Sequence, residues 1–327
     1  MGMGQLIDGK WADEEATERL SADGSYKRAN SKIRNWVTVD GSPGPSGEGG
    51  FKAEAGRYHL YISLSCPFAH RTAIMRRLKK LGDVVSISIA ARRTDQSWVF
   101  DNDSEEFCDS VLGSDCLHQI YTASDPHFTG RVTVPVLWDM KQGIMVSTES
   151  SEIIRMFNSA FNEFTTDRTD YYPEELRPEI DTLNDTVHKD VNAGVYMAGF
   201  AGTQEVYNRA FDALFETLEM LDDRLGQKRY LVGDQITEAD WRLFTTLARF
   251  DVAYHGAFKC NKQRLVDYPN LWPYARELYQ IPGVSDTVDL DACKAGYHTE
   301  SPLTNPLGII PKGPFVDFSE PHCRDAR

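Results

Sequence analysis

Cys66 is followed at once by Pro67, at the point where an alternating run of residues gives way to helical spacing. A thiol so placed is set to react. The free N–H groups and the positive dipole end of a helix start stabilise a thiolate, the nucleophilic form of cysteine. Buried in apolar packing, the same thiol would be inert, which is the commonest state of a free cysteine. Ala69 stands where a second cysteine would make a dithiol centre, so any disulfide formed by Cys66 has to be resolved by a thiol from outside the chain. His70 lies four residues on, but two ligands without a third nearby fall short of a zinc site, and no metal is expected.

Two further pairs bear on the same chemistry. Val134-Pro135 interrupts a run that otherwise reads as a central strand, where a proline deletes a ladder hydrogen bond. A cis peptide would turn the Val134 backbone outward to pair with an extended peptide ligand, whereas an edge strand would accommodate the proline without any such role. Glu149-Ser150 opens a helix. Its N–H groups and the Ser150 hydroxyl would receive a carboxylate while Glu149 meets an ammonium, the two charges of a γ-glutamyl end. The same two residues would serve equally well as a plain helix cap.

These residues need elements to hold them. Tyr58, Leu60, Ile62 and Leu64 alternate with polar neighbours and predict a strand; Phe68, Ile74, Met75, Leu78 and Leu81 then keep helical spacing, closed by Arg76, Arg77, Lys79, Lys80 and Gly82. Val85, Ile87 and Ile89 predict a second strand, which makes β-α-β. Val132, Val134, Val136 and Trp138 alternate, a turn follows at Lys141-Gln142-Gly143, and a short strand at Ile144–Val146 leads to a helix opening near Ser147–Glu152. The order β-α-β, connection, β-β-α is that of an α/β thioredoxin-like domain, in which a cis-proline ahead of the third strand is usual. We expect this domain over residues 57–165, preceded by an irregular extension over 1–56 that is rich in glycine and proline. Residues 91–128, rich in Asp and Ser, read as a solvated insertion that carries Trp98 towards the ligand.

Residues 166–301 contain no clear strand and read as an all-α C-terminal domain. Val206, Phe211, Leu214, Phe215, Leu218, Leu221 and Leu225 hold a 3.6-residue period, with Glu216, Asp222 and Arg224 largely off that face. Thr237 and Asp240 form a variant capping box, with Ile236 and Trp241 spaced as a staple. Residues 302–327 hold prolines at 302, 306, 311, 314 and 321 and predict an extended tail over the surface.

Composition narrows the class. The 327 residues are 41% hydrophobic and 26% charged, an ordinary globular balance, and the length suits two domains. The net charge of −14 makes nucleic acid an unsuitable partner and leaves an anionic ligand dependent on local groups such as Arg131 and helix N-termini. Neither a membrane span nor a secretory signal is expected. The six cysteines are too sparse for a disulfide scaffold and indicate free thiols in a reducing, cytoplasmic setting, where glutathione is the abundant external thiol. Cys108, Cys116, Cys260, Cys293 and Cys323 lack the helix-start context of Cys66 and read as packing or incidental residues.

Arg57-Tyr58-His59-Leu60-Tyr61, Ser65-Cys66-Pro67-Phe68-Ala69-His70-Arg71, Gly130-Arg131-Val132-Thr133-Val134-Pro135-Val136-Leu137-Trp138-Asp139 and Glu149-Ser150-Ser151-Glu152-Ile153-Ile154 resemble the glutathionyl-hydroquinone reductases, the Xi class of glutathione transferases. The resemblance continues through Val191–Tyr196, Thr237–Asp240, Arg249–Asp251, Phe258–Asn261, Asp267–Trp272 and the Asn305-Pro306 to Gly313-Pro314 tail. Phe68 departs from it, standing where the family's C-P-W-A-H has tryptophan. What the resemblance implies is a glutathione transferase fold, a homodimer, and glutathione as co-substrate in the conversion of a glutathionyl-hydroquinone to the free hydroquinone with release of glutathione disulfide. It makes Cys66 the nucleophile and Tyr196 the proton donor. Tyr254 and Tyr297 would donate hydrogen bonds to the Cys66 thiolate, while Trp98, Arg131, Val134, Pro135, Glu149 and Ser150 would hold glutathione. Two alternatives share parts of this pattern: an omega-like thiol transferase or dehydroascorbate reductase, which needs the cysteine without the three tyrosines, and a glutathione-transferase-like binding module without turnover.

Overall fold

The computed structural model describes residues 3–14, 19–27, 30–301 and 304–325, which group into two compact units. The first holds residues 3–14 and 30–169; the second holds 19–27 together with the described residues from 170 onward.

In the first unit a four-stranded sheet has the order β4-β3-β7-β8, from β3 (Tyr58–Ile62), β4 (Val85–Ile89), β7 (Val136–Asp139) and β8 (Ile144–Ser147). β3 runs parallel to β4, as a helical crossover requires, and antiparallel to β7, which turns back into β8. All five residues of β3 are buried, the pattern of a strand inside a sheet. Helix α1 (Pro67–Leu78) is the crossover and packs on α3 (Ser150–Ser159). Pro67 occupies the first turn of α1, where its missing N–H costs nothing, and Arg76 and Arg77 lie in the last turn. Beyond that turn it is Lys80, at φ 50°, that takes the left-handed conformation, not the expected Gly82. Arg57 donates from Nε to both carboxylate oxygens of fully buried Asp139, at 3.0 and 3.1 Å, and Asp139 also accepts from the backbone N of Lys141. One ion pair thus ties the entry of β3 to the β7–β8 turn.

Three expectations need correction. Residues 3–14 are not irregular: β1 (Met3–Ile7) and β2 (Lys10–Glu14) form a hairpin around Asp8 (φ 49°) and Gly9 (φ 72°). Asp-Gly with both φ positive is the two-residue turn that matches strand twist, here set within a polar segment. Residues 33–35 run antiparallel along 146–148, with Asn35 N donating to Val146 O at 2.9 Å and Thr148 N to Ile33 O at 3.0 Å, so part of the expected loop extends the sheet past β8. The interval 91–128 is packed rather than merely solvated: it holds β5 (Arg92–Thr94), β6 (Ser97–Val99) and α2 (Leu117–Ser124), and Phe100, Leu117, Ile120 and Tyr121 are buried. The third strand begins only at Val136, because Pro135 has no N–H to give a ladder.

The second unit has no strand among its described residues. Helices α4 (Arg177–Thr186), α5 (Gly194–Gly199), α6 (Gln204–Gln227), α7 (Glu238–Leu247), α8 (His255–Ala257), α9 (Leu271–Tyr279) and α10 (Leu290–Tyr297) build it, and π-helical segments at Val187–Asn192 and Phe250–Tyr254 interrupt the regular winding. The α6 stripe is buried except for Phe211, which is half-buried. Asp222, expected off that face, is buried and accepts from the backbone N of Asn270 at 2.9 Å and of Leu271 at 2.7 Å, capping α9. The capping box at α7 is present, and buried Asp240 also takes the Tyr274 hydroxyl at 2.8 Å. After α10 the described chain has no regular element, but it is anchored: Phe318 packs on Trp272, and buried Arg324 meets Glu277 at 2.8 Å.

His59 on β3 is buried beside Ser86, its Nδ1 2.6 Å from the Ser86 hydroxyl, and burial pushes its pKa down to about 4 from 6.5. The unfolded state therefore takes up this proton first, and stability is lost as pH falls from about 6.5 through 4. Urea titrations across that interval are expected to show the loss, with a smaller slope in His59→Gln; an unchanged slope would assign the acid sensitivity to other groups.

Candidate active site

Cys66 is the N-cap of α1, with extended backbone (φ −84°, ψ 117°), and its carbonyl accepts the first helical hydrogen bond from His70 N at 3.0 Å. The thiol is half-buried rather than sealed, and Sγ donates to the Val134 carbonyl at 3.6 Å. Val134-Pro135 is cis. The residue before it is clamped from both sides: Tyr121 donates its hydroxyl to Thr133 O at 2.8 Å and accepts from Thr133 N at 3.1 Å. Upstream, Gly130 exchanges two backbone hydrogen bonds of 2.9 Å with Leu6, so the β1–β2 hairpin holds the start of the segment that carries half-buried Arg131.

The start of α3 combines both readings of Glu149-Ser150. Glu149 is the N-cap, and its Oε1 accepts from Ser151 N at 3.1 Å and from the Ser151 hydroxyl at 2.9 Å. Buried Ser150 receives Nη1 of Arg71 at 3.5 Å. Arg71 is 1% exposed, and its guanidinium lies 4.8 Å from the centre of the Phe68 ring, so one buried cation touches both the residue after Cys66-Pro67 and the first residue of α3. Arg34, on the strand-like segment beside β8, pairs with Glu152 in the first turn of α3. The charge pattern of the sequence singled out neither arginine for this position, since each reaches α3 from a distant segment.

Trp98 lies on β6, buried, with the Arg93 guanidinium 5.5 Å from its ring centre. The hairpin that presents it is backed by the N-terminal one, as Trp11 stacks on His118 at 5.3 Å and donates to Asp95 O at 2.9 Å. One cysteine expectation is corrected here. Cys116 does have helix-start context, as the N-cap of α2. It is buried, however, and burial together with Asp115 and Asp95 pushes its thiol pKa up, so a helix start alone does not make a nucleophile.

In the helical unit the three tyrosines named from the sequence come together. Tyr196 on α5, Tyr254 at the end of the π-helical segment 250–254 and Tyr297 at the end of α10 surround Phe258, with ring centres 5.4, 5.6 and 5.5 Å from it. Their hydroxyls are linked: Tyr297 lies 2.5 Å from Tyr196 and 3.1 Å from Tyr254. Gly199 makes the approach of Phe258 possible, because a Cβ there would fall 2.3 Å from the ring. No group of three or more His, Cys, Asp or Glu able to hold a metal ion occurs among the described residues, and no helix among them is long and apolar enough to cross a membrane.

A single cysteine at the start of the crossover helix, a cis-proline ahead of the third strand and an all-helical second unit place the chain in the glutathione transferase class. Two sequence profiles agree: glutathione S-transferase, N-terminal domain, over residues 65–160, and glutathione S-transferase, C-terminal domain, over residues 204–277. The chain is 50% identical to the glutathionyl-hydroquinone reductase YqjG of Escherichia coli across 99% of each chain, and 46% identical to the glutathionyl-hydroquinone reductase PcpF of Sphingobium chlorophenolicum across 95% of this chain and 96% of that one. A relative in Schizosaccharomyces pombe named glutathione S-transferase omega-like 2 is 39% identical over 91% of this chain and 96% of its own. Among solved structures, the glutathione-bound form of YqjG superposes with a TM-score of 0.90 at 48% identity, covering 99% of each chain. The Xi class glutathione transferase of Natrialba magadii superposes with a TM-score of 0.91 at 43% identity, covering 100% of this chain and 98% of that one. The chain belongs to the glutathionyl-hydroquinone reductases, the Xi class of glutathione transferases.

The contrast between the cysteines is testable. At neutral pH a stoichiometric amount of iodoacetamide is expected to alkylate Cys66 and to leave buried Cys116 and Cys260 unmodified until the protein unfolds, as read by peptide mass mapping. Equal labelling of Cys116 and Cys66 would remove the distinction drawn from burial.

Proposed function

We propose that this protein reduces glutathionyl-hydroquinones to hydroquinones at the expense of glutathione, in two steps through Cys66. In the first, the Cys66 thiolate attacks the glutathionyl sulfur; the new S–S bond forms as the bond from sulfur to the ring carbon breaks, and that carbon takes a proton from Tyr196. In the second, a glutathione thiolate attacks the Cys66–glutathione disulfide, releasing glutathione disulfide and the Cys66 thiolate, while the proton shed by that glutathione restores Tyr196. An aromatic carbanion is a poor leaving group, so an acid at the ring is needed. Two steps that share one thiol give ping-pong kinetics.

The observation that carries the chemistry is the half-buried Cys66 thiol at the start of α1, with Ala69 in place of a resolving cysteine. The likeness to two named reductases along the whole chain supports the substrate class. Glutathione would lie extended along Val134, its γ-glutamyl end at Glu149 and Ser150, with Trp98 and Arg131 on its other parts; these roles follow the family resemblance, as do the thiolate contacts of Tyr254 and Tyr297. A homodimer in the cytoplasm is part of the same reading. The likeness to a relative named omega-like supports a second one, simple thiol transfer.

Incubation with a glutathionyl-hydroquinone in the absence of free glutathione is expected to add one glutathione to the intact mass, and Cys66→Ala to abolish both that adduct and all thiol-dependent turnover. A quinone adduct, or none, would sink the mechanism. Tyr196→Phe is expected to lose the reductase reaction by about a hundredfold, the low end of acid catalysis, while sparing disulfide exchange. Full reductase activity in that variant would favour simple thiol transfer.

A further inference from the structure

Ser150 is 3% exposed, and among the described residues its hydroxyl oxygen meets one group, Nη1 of Arg71 at 3.5 Å. A guanidinium has hydrogens to give and no lone pair to receive one, so chemistry fixes the direction of this contact: Arg71 donates and Ser150 accepts. The Ser150 proton is therefore not spent on Arg71, and a buried donor is costly to leave without an acceptor. Ser150 is also the first residue of α3, where a backbone N–H has no acceptor inside the helix and the dipole favours negative charge. Two donors of one residue are thus left at one helix start. The carboxylates of that first turn are engaged elsewhere than on the Ser150 oxygen: Glu152 pairs with Arg34, and Glu149 caps Ser151. Arg71 itself is held in place, 1% exposed with its guanidinium 4.8 Å from the centre of the Phe68 ring. It belongs to the helix that Cys66 caps, five residues on, so the nucleophile and the cation sit on one rigid element about 7.5 Å apart along its axis.

We propose that Arg71 is a positioning residue for glutathione: acting through Ser150, it fixes that hydroxyl as a donor and polarises it towards the α-carboxylate of the γ-glutamyl end. The inference rests on the reading that this end of glutathione lies at Glu149 and Ser150. With its oxygen held by a cation, the Ser150 O–H is a stronger donor than an isolated serine, and its bond to a carboxylate is charge-assisted. The ammonium on the same carbon of the ligand falls to Glu149. Because α1 carries both Arg71 and Cys66, the grip on the γ-glutamyl end and the position of the attacking sulfur are set by the same helix.

The test is calorimetric titration of the full chain with three peptides: glutathione, 4-aminobutyryl-cysteinylglycine, which lacks the α-carboxylate, and glutaryl-cysteinylglycine, which lacks the ammonium. Arg71→Met is expected to weaken glutathione and the glutaryl peptide about tenfold each, the difference between a hydrogen bond to a charged group and an ordinary one, and to leave the 4-aminobutyryl peptide as it was. Ser150→Ala is expected to show the same selectivity, and adding Arg71→Met to it to cost less than about twofold more, since the arginine acts through the hydroxyl. Should Arg71→Met fail to fold, Arg71→Lys, which keeps the charge without the planar fork, is expected to show the same selectivity at about threefold. In turnover the loss is expected in KM rather than in kcat. Equal weakening of all three peptides, or additive losses in the double variant, would overturn the role and leave Arg71 a packing residue. Selective losses in a protein inert towards glutathionyl-hydroquinones would uphold Arg71 and overturn the reductase reading instead.

Discussion

A nucleophilic thiol would make two demands, partial positive charge beside it and an opening to solvent, and Cys66 stands at a helix start and is half-buried. The sulfur sits at the N-cap of α1, where helix N–H groups point outward, and Pro67 occupies the one position in the first turn that has no N–H to offer. The Val134 carbonyl faces the sulfur from the segment leading into β7. Cys116 isolates the second demand. It also caps a helix, yet burial and two nearby aspartates oppose its ionisation.

Charges are also gathered at the start of α3. Arg71 reaches the Ser150 hydroxyl and Arg34 pairs with Glu152 in the first turn, each from a different segment. Arg71 is buried in a place where bare charge would be costly, and its approach to the Ser150 hydroxyl and the Phe68 ring partly offsets that cost. The ring stacked by Arg71 is the one position where the motif departs from the family tryptophan, and an aromatic face is retained there.

In the helical unit, carboxylates do the local work. Asp222, Asp240 and Asp251 are buried, each engaged with backbone N–H groups of neighbouring segments. Those bonds complete helix ends that would otherwise leave donors unpaired. Beside Phe258, the tyrosine hydroxyls bond one another. Two of the three lie in or just after π-helical turns, a local winding that re-aims side chains and recurs at functional sites.

Local order was legible in the chain itself. The change from period two to period 3.6 at Cys66-Pro67, the absence of a second thiol at Ala69, the box at Thr237 and Asp240 and the long α6 stripe all rest on neighbours within a few residues, which periodicity and capping rules can read. The Asp8-Gly9 turn is equally local, set among polar residues. Long-range pairing was not legible. Nothing in the spacing says that residues 33–35 will lie along 146–148, that the Asp- and Ser-rich interval 91–128 will bury Phe100 and Tyr121, that Asp222 will cap a helix 48 residues away, or that Tyr196 will meet Tyr297 across 101 residues. The sequence by itself determined which faces are apolar, where helices start and which thiol stands at a helix end, because those depend on local sterics and hydration. Only the tertiary structure decided which buried charges and hydroxyls face each other, since a hydrogen bond's partner and direction depend on which distant segments packing brings within about 3 Å.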